Sequence, residues 1–375
     1  MGEKMYILGP CSAESREQML LTAKQIEEWR LEMEDFQFIF RAGVWKPRTR
    51  PDSFQGAGDE ALEWLQEVKR TYGVPVATEV ATPEHVEKVL KAGIDYLWIG
   101  ARTSANPIAV QAIAERLQVT GYGLRGVLIK NPVNADAGLW LGNIERLERT
   151  GVPVIAVHRG CGHKPCWSMA HQVRLARPDI PMLLDPSHMS GDATKVPELL
   201  QKLEELGLDG AMIEVHCCPE KALSDKKQQL RPKDLREIVG KELTKNQRIT
   251  NEQLTGSSKE PRKEYGSEHG KEYGSEHGKE YGSEHSKELG RELNWLRAEI
   301  DELDEALWDT IAARMDVSRR IGEWKKEHGV APLQPERYQQ ISGKLRVKSE
   351  ELGLSQEFVE QVWNRIHEES LKQQD

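Results

Sequence analysis

The sequence contains no continuous run of 18 apolar residues, so no segment reads as a membrane-spanning helix. It is short of positive charge: 52 Lys and Arg stand against 61 Asp and Glu, a net charge of −9. That balance argues against general nucleic-acid binding. Cysteine is scarce, with Cys11, Cys161, Cys166, Cys217 and Cys218 as the five in 375 residues. The opening MGEKMYILGPCSAES passes at once into a strand-like run and lacks the long apolar stretch of a signal peptide. A cytoplasmic protein is expected, and in that reducing compartment thiols or metal ligands are favoured over disulfides. No dinucleotide-binding glycine fingerprint is present. What is there, 38% hydrophobic and 30% charged, fits a soluble globular protein.

Residues 1–245 alternate short apolar runs with longer amphipathic stretches. Eight runs read as strands: MYILG, FQFIFRAG, VPVATEV, YLWIGA, LRGVLIK, VPVIAVHRG, IPMLLDPSH and GAMIEVH. Each is continuously apolar rather than alternating, as buried parallel strands are. Segments such as SREQMLLTAKQIEEW between them read as helices. Eight such units predict a (β/α)8 TIM barrel, with a doubly wound open sheet as the alternative.

The composition then shifts. KEYGSEHG occurs at 263–270 and 271–278, and KEYGSEHS follows at 279–286. Repeats rich in Gly, Ser and charge cannot bury a core, so 246–289 reads as a flexible linker. A random coil of about 50 residues spans roughly 40 Å. Metal binding by His269, His277 and His285 is the weaker reading, because nothing fixes their geometry. From 290 to 375 the pattern is helical. Leu293, Leu296, Ile300, Leu303, Leu307, Thr310, Arg314, Val317, Ile321, Trp324 and His328 keep a 3-4 spacing along one long helix. Further helices are expected at about 336–351 and 355–373. Such a module buries its seam best against a second copy, so a homodimer is expected.

In a (β/α)8 barrel the reactive residues lie at the C-terminal strand ends. Those positions hold Cys11, Arg41, Glu79, Arg102, Lys130, Arg159, Asp185, His188 and Glu214, with Lys46 and Arg48 just beyond the second strand. Unpaired buried cations are costly, and Arg matches carboxylate and phosphate oxygens bidentately. So many cations at one mouth imply a polyanionic, phosphorylated substrate. An internal salt-bridge cage with Glu79, Asp185 and Glu214 is the alternative. The same mouth collects Cys11, His188, Glu214 and Asp225, a mixed thiolate, imidazole and carboxylate set suited to a divalent ion such as Mn2+, Fe2+, Co2+ or Zn2+. Cys217 and Cys218 are adjacent, so in an extended stretch they point opposite ways and cannot readily bind one metal.

GPCSAES, RAGVWKPRTRPDSFQG, ATEV, WIGART, LIKNP, DPSH and IEVHCCPEKALSD resemble 3-deoxy-D-arabino-heptulosonate 7-phosphate (DAHP) synthase of class I, β subgroup, over residues 5 to about 240. The resemblance implies a metal-dependent barrel that condenses phosphoenolpyruvate with erythrose 4-phosphate. It implies Cys11, His188, Glu214 and Asp225 as metal ligands. Arg41, Lys46, Arg102, Lys130 and Arg159 would bind phosphoenolpyruvate, with Asp185 beside them. Arg48 and Thr49 of KPRT would take the aldose phosphate. The related octulosonate synthase has a motif resembling KANR there, so KPRT favours the four-carbon sugar. Lys130 is implied near the reacting end as an acid, and Glu79 as a guide for water.

In the helical segment Arg314 occupies a seam position, where a cation calls for an anion. Lys325, eleven residues on, lies about 20° away around the helix. Arg297 lies roughly 100° off that face and would reach the same pocket from a partner chain. LRAEIDELDEALWDTIAARMDVSRRIGEWK, QPERY and HEESLKQQ resemble the all-helical chorismate mutases from about 290 to 375. That implies conversion of chorismate to prephenate without a cofactor, with Arg297 (across the dimer), Arg314, Lys325, Arg337, Ser370 and Gln374 in the site. Lys325 and Gln374 would bond the ether oxygen. Gln334 and Tyr338 depart from the common pattern, where acidic residues are frequent. The expectation is a bifunctional enzyme with no regulatory domain ahead of the barrel, whose helical domain also mediates feedback inhibition by prephenate or chorismate. A noncatalytic sensor domain is the alternative.

Overall fold

The computed structural model describes residues 4–32, 36–48, 50–120, 123–235, 237–238, 278–331 and 335–374. Eight parallel strands close into a barrel: β1 (Met5–Gly9), β2 (Ile39–Arg41), β3 (Val76–Val80), β4 (Tyr96–Ile99), β5 (Gly126–Lys130), β6 (Val154–His158), β7 (Met182–Leu184) and β8 (Gly210–Glu214). Pairing of β1 with both β2 and β8 closes the sheet and excludes the open doubly wound alternative. The helices between strands are α1 (Arg16–Arg30), α2 (Glu60–Tyr72), α3 (Pro83–Lys91), α4 (Ala101–Ser104), α5 (Pro107–Thr120), α6 (Ala137–Glu148), α7 (Trp167–Ala176), α8 (Pro186–Ser190) and α9 (Val196–Glu205).

Two apolar layers hold the barrel. The larger lies between strands and helices and takes residues such as Leu8, Phe40, Val80, Leu97 and Ile113. The smaller fills the barrel's interior: Ile7, Ile39, Ala77, Trp98, Leu128, Ile155, Val157, Leu183 and Met212. Strand side chains alternate faces, so the residue two positions beyond each of these also points inward. The sequence thereby stacks Arg41, Glu79, Lys130, Arg159, Asp185 and Glu214 as a polar layer above an apolar one. Gly9 (φ +147°) permits this closure, because a Cβ there would lie 2.1 Å from the Arg41 carbonyl oxygen.

A long helix, α10, spans Gly278–Glu327. It begins before residue 290, where the sequence periodicity starts it. Glu and Lys are good helix formers, so a helix nucleated further on extends through them at low cost. The first compact unit ends at Glu299, inside this helix. Within that unit Trp295 is buried, its indole N–H donating to the Leu206 carbonyl at 3.1 Å and its ring stacked on His171. The second unit, Ile300–Asp375, comprises the rest of α10 with α11 (Pro335–Leu352) and α12 (Gln356–Lys372). Most of the expected linker, with His269 and His277, falls outside the described residues. Among the described residues, no helix is long and apolar enough to cross a membrane.

Candidate active sites

The C-terminal mouth of the barrel opens on a cavity of about 180 Å³. Its walls include Lys46, Arg48, Glu79, Arg102, Lys130, Arg159, His188 and Asp225. Behind it Arg41 is wholly buried, with its guanidinium carbon 4.7 Å above the Trp98 ring. Its Nη2 donates to Glu214 Oε1 at 3.2 Å, whereas Nε and Nη1 have no hydrogen-bond partner among the described residues. Lys46 lies 3.1 Å from Glu79, Lys130 lies 2.6 Å from Asp185, and Arg48 lies 3.0 Å from Asp225. The ion pairs of the cage alternative are therefore present, but Arg41 keeps unmet donors. Arg159 donates to the His188 carbonyl at 3.4 Å. Gly100 leaves room for Glu79, since a Cβ there would meet its carboxylate oxygen at 2.1 Å.

Burial raises the Glu79 carboxyl, but Lys46, Lys130 and Arg41 outweigh it and hold it below the ordinary range. Burial likewise opposes ionisation of Asp185, yet His188 and Lys130 keep its carboxyl well down. For Lys130 burial prevails over the Asp185 carboxylate, and its ammonium is more acidic than usual.

Ligating atoms of Cys11, Glu214 and Asp225 lie within 4.8 Å of one another. Three separate features deliver them. Cys11 follows β1, Glu214 ends β8 beside it, and Asp225 sits in the loop beyond with a left-handed backbone (φ 44°). A non-glycine residue in that region stores strain, as functional loops often do. His188 sits in α8, which Asp185 caps by accepting from the His188 backbone N–H at 3.0 Å. Asp185 also holds the ring through Nδ1 at 2.8 Å, and Nε2 lies 3.5 Å from Glu214 Oε1. Burial lowers the imidazole's proton affinity against the opposing pull of the Asp185 carboxylate, and Nε2 is the ring nitrogen that faces Glu214. His188 adjoins the cluster through Glu214, while its ring stays outside the group of ligand atoms that lie within 4.8 Å of one another. The donor set thus fits a divalent metal ion.

The neighbouring cysteines face elsewhere. The Cys217 thiol points at the Gln18 carbonyl and borders a separate cleft of about 370 Å³ that no strand end enters. Cys218 donates to Glu220 at 3.0 Å. His216 turns Nδ1 to the Cys218 N–H and Nε2 towards Glu14. Thr49 lies outside the described residues.

In the second unit, Arg314 donates to Ser370 Oγ, and its guanidinium lies 4.9 Å from the Trp363 ring centre. Lys325 Nζ donates to Gln374 Oε1 at 3.0 Å. Close approach of α10 and the chain's end makes this pair, since a Cβ on Gly322 would meet Gln374 Cα at 2.6 Å. Arg314, Lys325, Ser370 and Gln374 therefore line facing segments. Arg297 belongs to the first unit and is exposed. Gln334 and the side chains of Arg337 and Tyr338 lie outside the described residues.

Residues 1–249 match the family model described as DAHP synthetase I family. The chain belongs to the DAHP synthetase I family. Residues 296–375 match chorismate mutase type II, so a DAHP synthase domain is fused to a chorismate mutase domain. The phospho-2-dehydro-3-deoxyheptonate aldolase of Thermotoga maritima is 32% identical over 240 residues, 62% of this chain and 67% of that protein. The 2-dehydro-3-deoxyphosphooctonate aldolase of Desulfatibacillum aliphaticivorans is 28% identical over 244 residues, covering 59% of this chain and 84% of its own. Among solved structures, the Thermotoga maritima DAHP synthase aligns at a TM-score of 0.56 and 30% identity, covering 66% of this chain and 70% of that one. A truncated form of that synthase aligns at 0.54 and 27%, covering 66% and 87%.

In this DAHP synthase domain the cavity also takes residues that strand-end reading missed. Trp98 supports Arg41, His163 bonds the His188 carbonyl at 3.3 Å, and Gln228 donates to Glu214 Oε2 at 2.8 Å. Trp98 was legible as an inward-facing residue on its strand. His163 and Gln228 sit in irregular loops, where no periodicity flags them.

Proposed function

We propose that the barrel condenses phosphoenolpyruvate with erythrose 4-phosphate to give DAHP and phosphate, and that the helical domain rearranges chorismate to prephenate. The observation that carries the first half is the convergence of Cys11, Glu214 and Asp225 beside a cation-walled cavity. Cys11, His188, Glu214 and Asp225 would hold the divalent ion. When bound, that ion supplies Lewis-acid polarisation of the aldehyde carbonyl. Among the described residues Arg41 Nε and Nη1 have no partner and would serve an anion, and Lys46, Arg102, Lys130 and Arg159 stand around the space for phosphoenolpyruvate. Arg48, with Thr49, takes the aldose phosphate. Carbon 3 of phosphoenolpyruvate attacks the aldehyde carbon, and the electron-poor carbon 2 takes up water before phosphate leaves. Lys130, acidified by burial, gives a proton to the new alkoxide. Glu79 accepts from the incoming water. Holding two anions together supplies proximity as well as charge neutralisation.

For the helical domain, Arg314 and Arg337 grip carboxylates with help from Ser370, and Arg297 enters from a second chain. Lys325 and Gln374 bond the ether oxygen as negative charge develops there. Retention of that pair favours catalysis over a noncatalytic sensor, which needs the carboxylate grips more. Leu303, Leu307, Val317, Ile321 and Trp324 are exposed along α10, as a seam awaiting a second copy would be. We place the enzyme in the cytoplasm, with prephenate or chorismate as feedback effector through the helical domain. The test is a coupled assay: phosphate release must require both sugar and phosphoenolpyruvate. Release without the aldose would overturn the condensation.

A further inference from the structure

We infer that Gln228 is the positioning residue that presents Glu214 to the metal through one oxygen only, an inference that rests on the metal reading above. Glu214 is wholly buried and its two oxygens are treated differently. Oε1 faces His188 Nε2 and the Arg41 guanidinium, at 3.5 and 3.2 Å. Oε2 accepts from Gln228 Nε2 at 2.8 Å. The amide takes one oxygen out of contention without cancelling the carboxylate's charge, as a second Lys or Arg at this place would. With Oε2 so engaged, Oε1 is the oxygen turned towards the His188 ring, and it is the one the carboxylate would offer.

The backbone explains why Gln228 can do this. Leu230 pairs its N–H with the Glu214 carbonyl at 2.8 Å, and its own carbonyl accepts from His216 at 2.9 Å. The segment that carries Gln228 is thus laced to the continuation of the strand that ends in Glu214. Its own N–H donates to the Asp225 carbonyl at 3.2 Å, closing the turn in which Asp225 takes its left-handed backbone. Gln228 therefore touches two members of the ligand set, one by side chain and one by main chain. The next residue braces a third. Gln229 Oε1 accepts from the Cys11 N–H at 3.0 Å, and its Nε2 donates to the Ser224 carbonyl at 2.8 Å. Both glutamines are buried, so water does not compete for these bonds.

Outer partners that orient metal ligands typically contribute about 10- to 100-fold in metal affinity. The test uses the full chain loaded with Co2+, whose visible spectrum reports ligand number and geometry. Gln228→Met keeps the volume and removes the donor; Gln228→Ala is the second variant should Met not be accommodated. Either is expected to bind Co2+ about 10- to 100-fold more weakly in chelator competition and to shift its visible bands. Unchanged affinity and spectrum in a folded variant would overturn the assignment. Cys11→Ser separates the two claims. If it too binds Co2+ as the parent does, the metal reading has failed; if it alone loses Co2+, only the role of Gln228 has.

Discussion

The Cys11 thiol donates to Asp225 Oδ2 at 3.0 Å, although 214 positions separate them in the chain. Closure of the barrel between β1 and β8 brings them together, and Arg48 holds the same oxygen from the other side at 3.0 Å. Burial and the nearby Glu214 carboxylate push the thiol's proton affinity up, so a cation is needed to make it a thiolate. With Cd2+ in place of the native ion, the parent protein should show ultraviolet thiolate-to-metal absorption. A C217S/C218S variant should keep that band, and Cys11→Ser should lose it. A band that follows Cys217 or Cys218 would reassign the site.

Arg41 and Glu214 form a pair with no exposure on either side chain. Removing one partner leaves the other buried and uncompensated, which typically costs about 3–5 kcal/mol. Arg41→Leu should therefore lower the urea midpoint as well as synthase activity. Lost activity at an unchanged midpoint would assign Arg41 to substrate alone.

His158 is wholly buried beneath Trp140 and Trp167, and burial lowers its pKa to about 3. In the unfolded chain the ring takes a proton below about pH 6.5. The unfolded state then binds more protons, so stability is complete above that pH and declines as pH falls towards 3. The slope from this residue is at most about 1.4 kcal/mol per pH unit. Denaturant titrations of His158→Leu should show an acid limb shallower by one proton. An identical limb would contradict the neutral buried ring.

Lys325 donates to Gln374 at 3.0 Å in the helical unit. Losing a donor to developing oxyanion charge typically costs about 100- to 1,000-fold in kcat. Lys325→Ala should slow chorismate rearrangement by that order and leave DAHP formation unchanged. An unaltered rate would refute the assignment. Prephenate should inhibit DAHP formation in the full chain but not after truncation near residue 255. Equal inhibition of both chains would remove the regulatory role of the helical domain.

Much of this was legible in the sequence because parallel strands buried on both faces leave continuous apolar runs. The run ending Met212–Ile213–Glu214 fixes which face Glu214 presents once the strand is assigned. Period two then places Arg41, Glu79, Lys130, Asp185 and Glu214 in one layer without any contact being known. Ion pairing among them was less legible, since Lys46–Glu79 depends on how the loop after β2 folds back. Gln228 carries no signal at all. It is a polar loop residue in a charged stretch, and only the bridge between Val215 and Leu230 gives it a place. The start of α10 at Gly278 was also missed, because glycine- and serine-rich repeats read as coil while their Glu and Lys residues prolong a helix formed elsewhere.

The most direct test of two chemistries on one chain is a paired assay of the same full-length preparation. Phosphate release from phosphoenolpyruvate and erythrose 4-phosphate, and loss of chorismate, would be followed before and after EDTA and after adding back Mn2+. EDTA should abolish the first reaction, Mn2+ should restore it, and the second should proceed unchanged throughout. Full condensation by rigorously metal-free protein, or no loss of chorismate in any sample, would contradict the account.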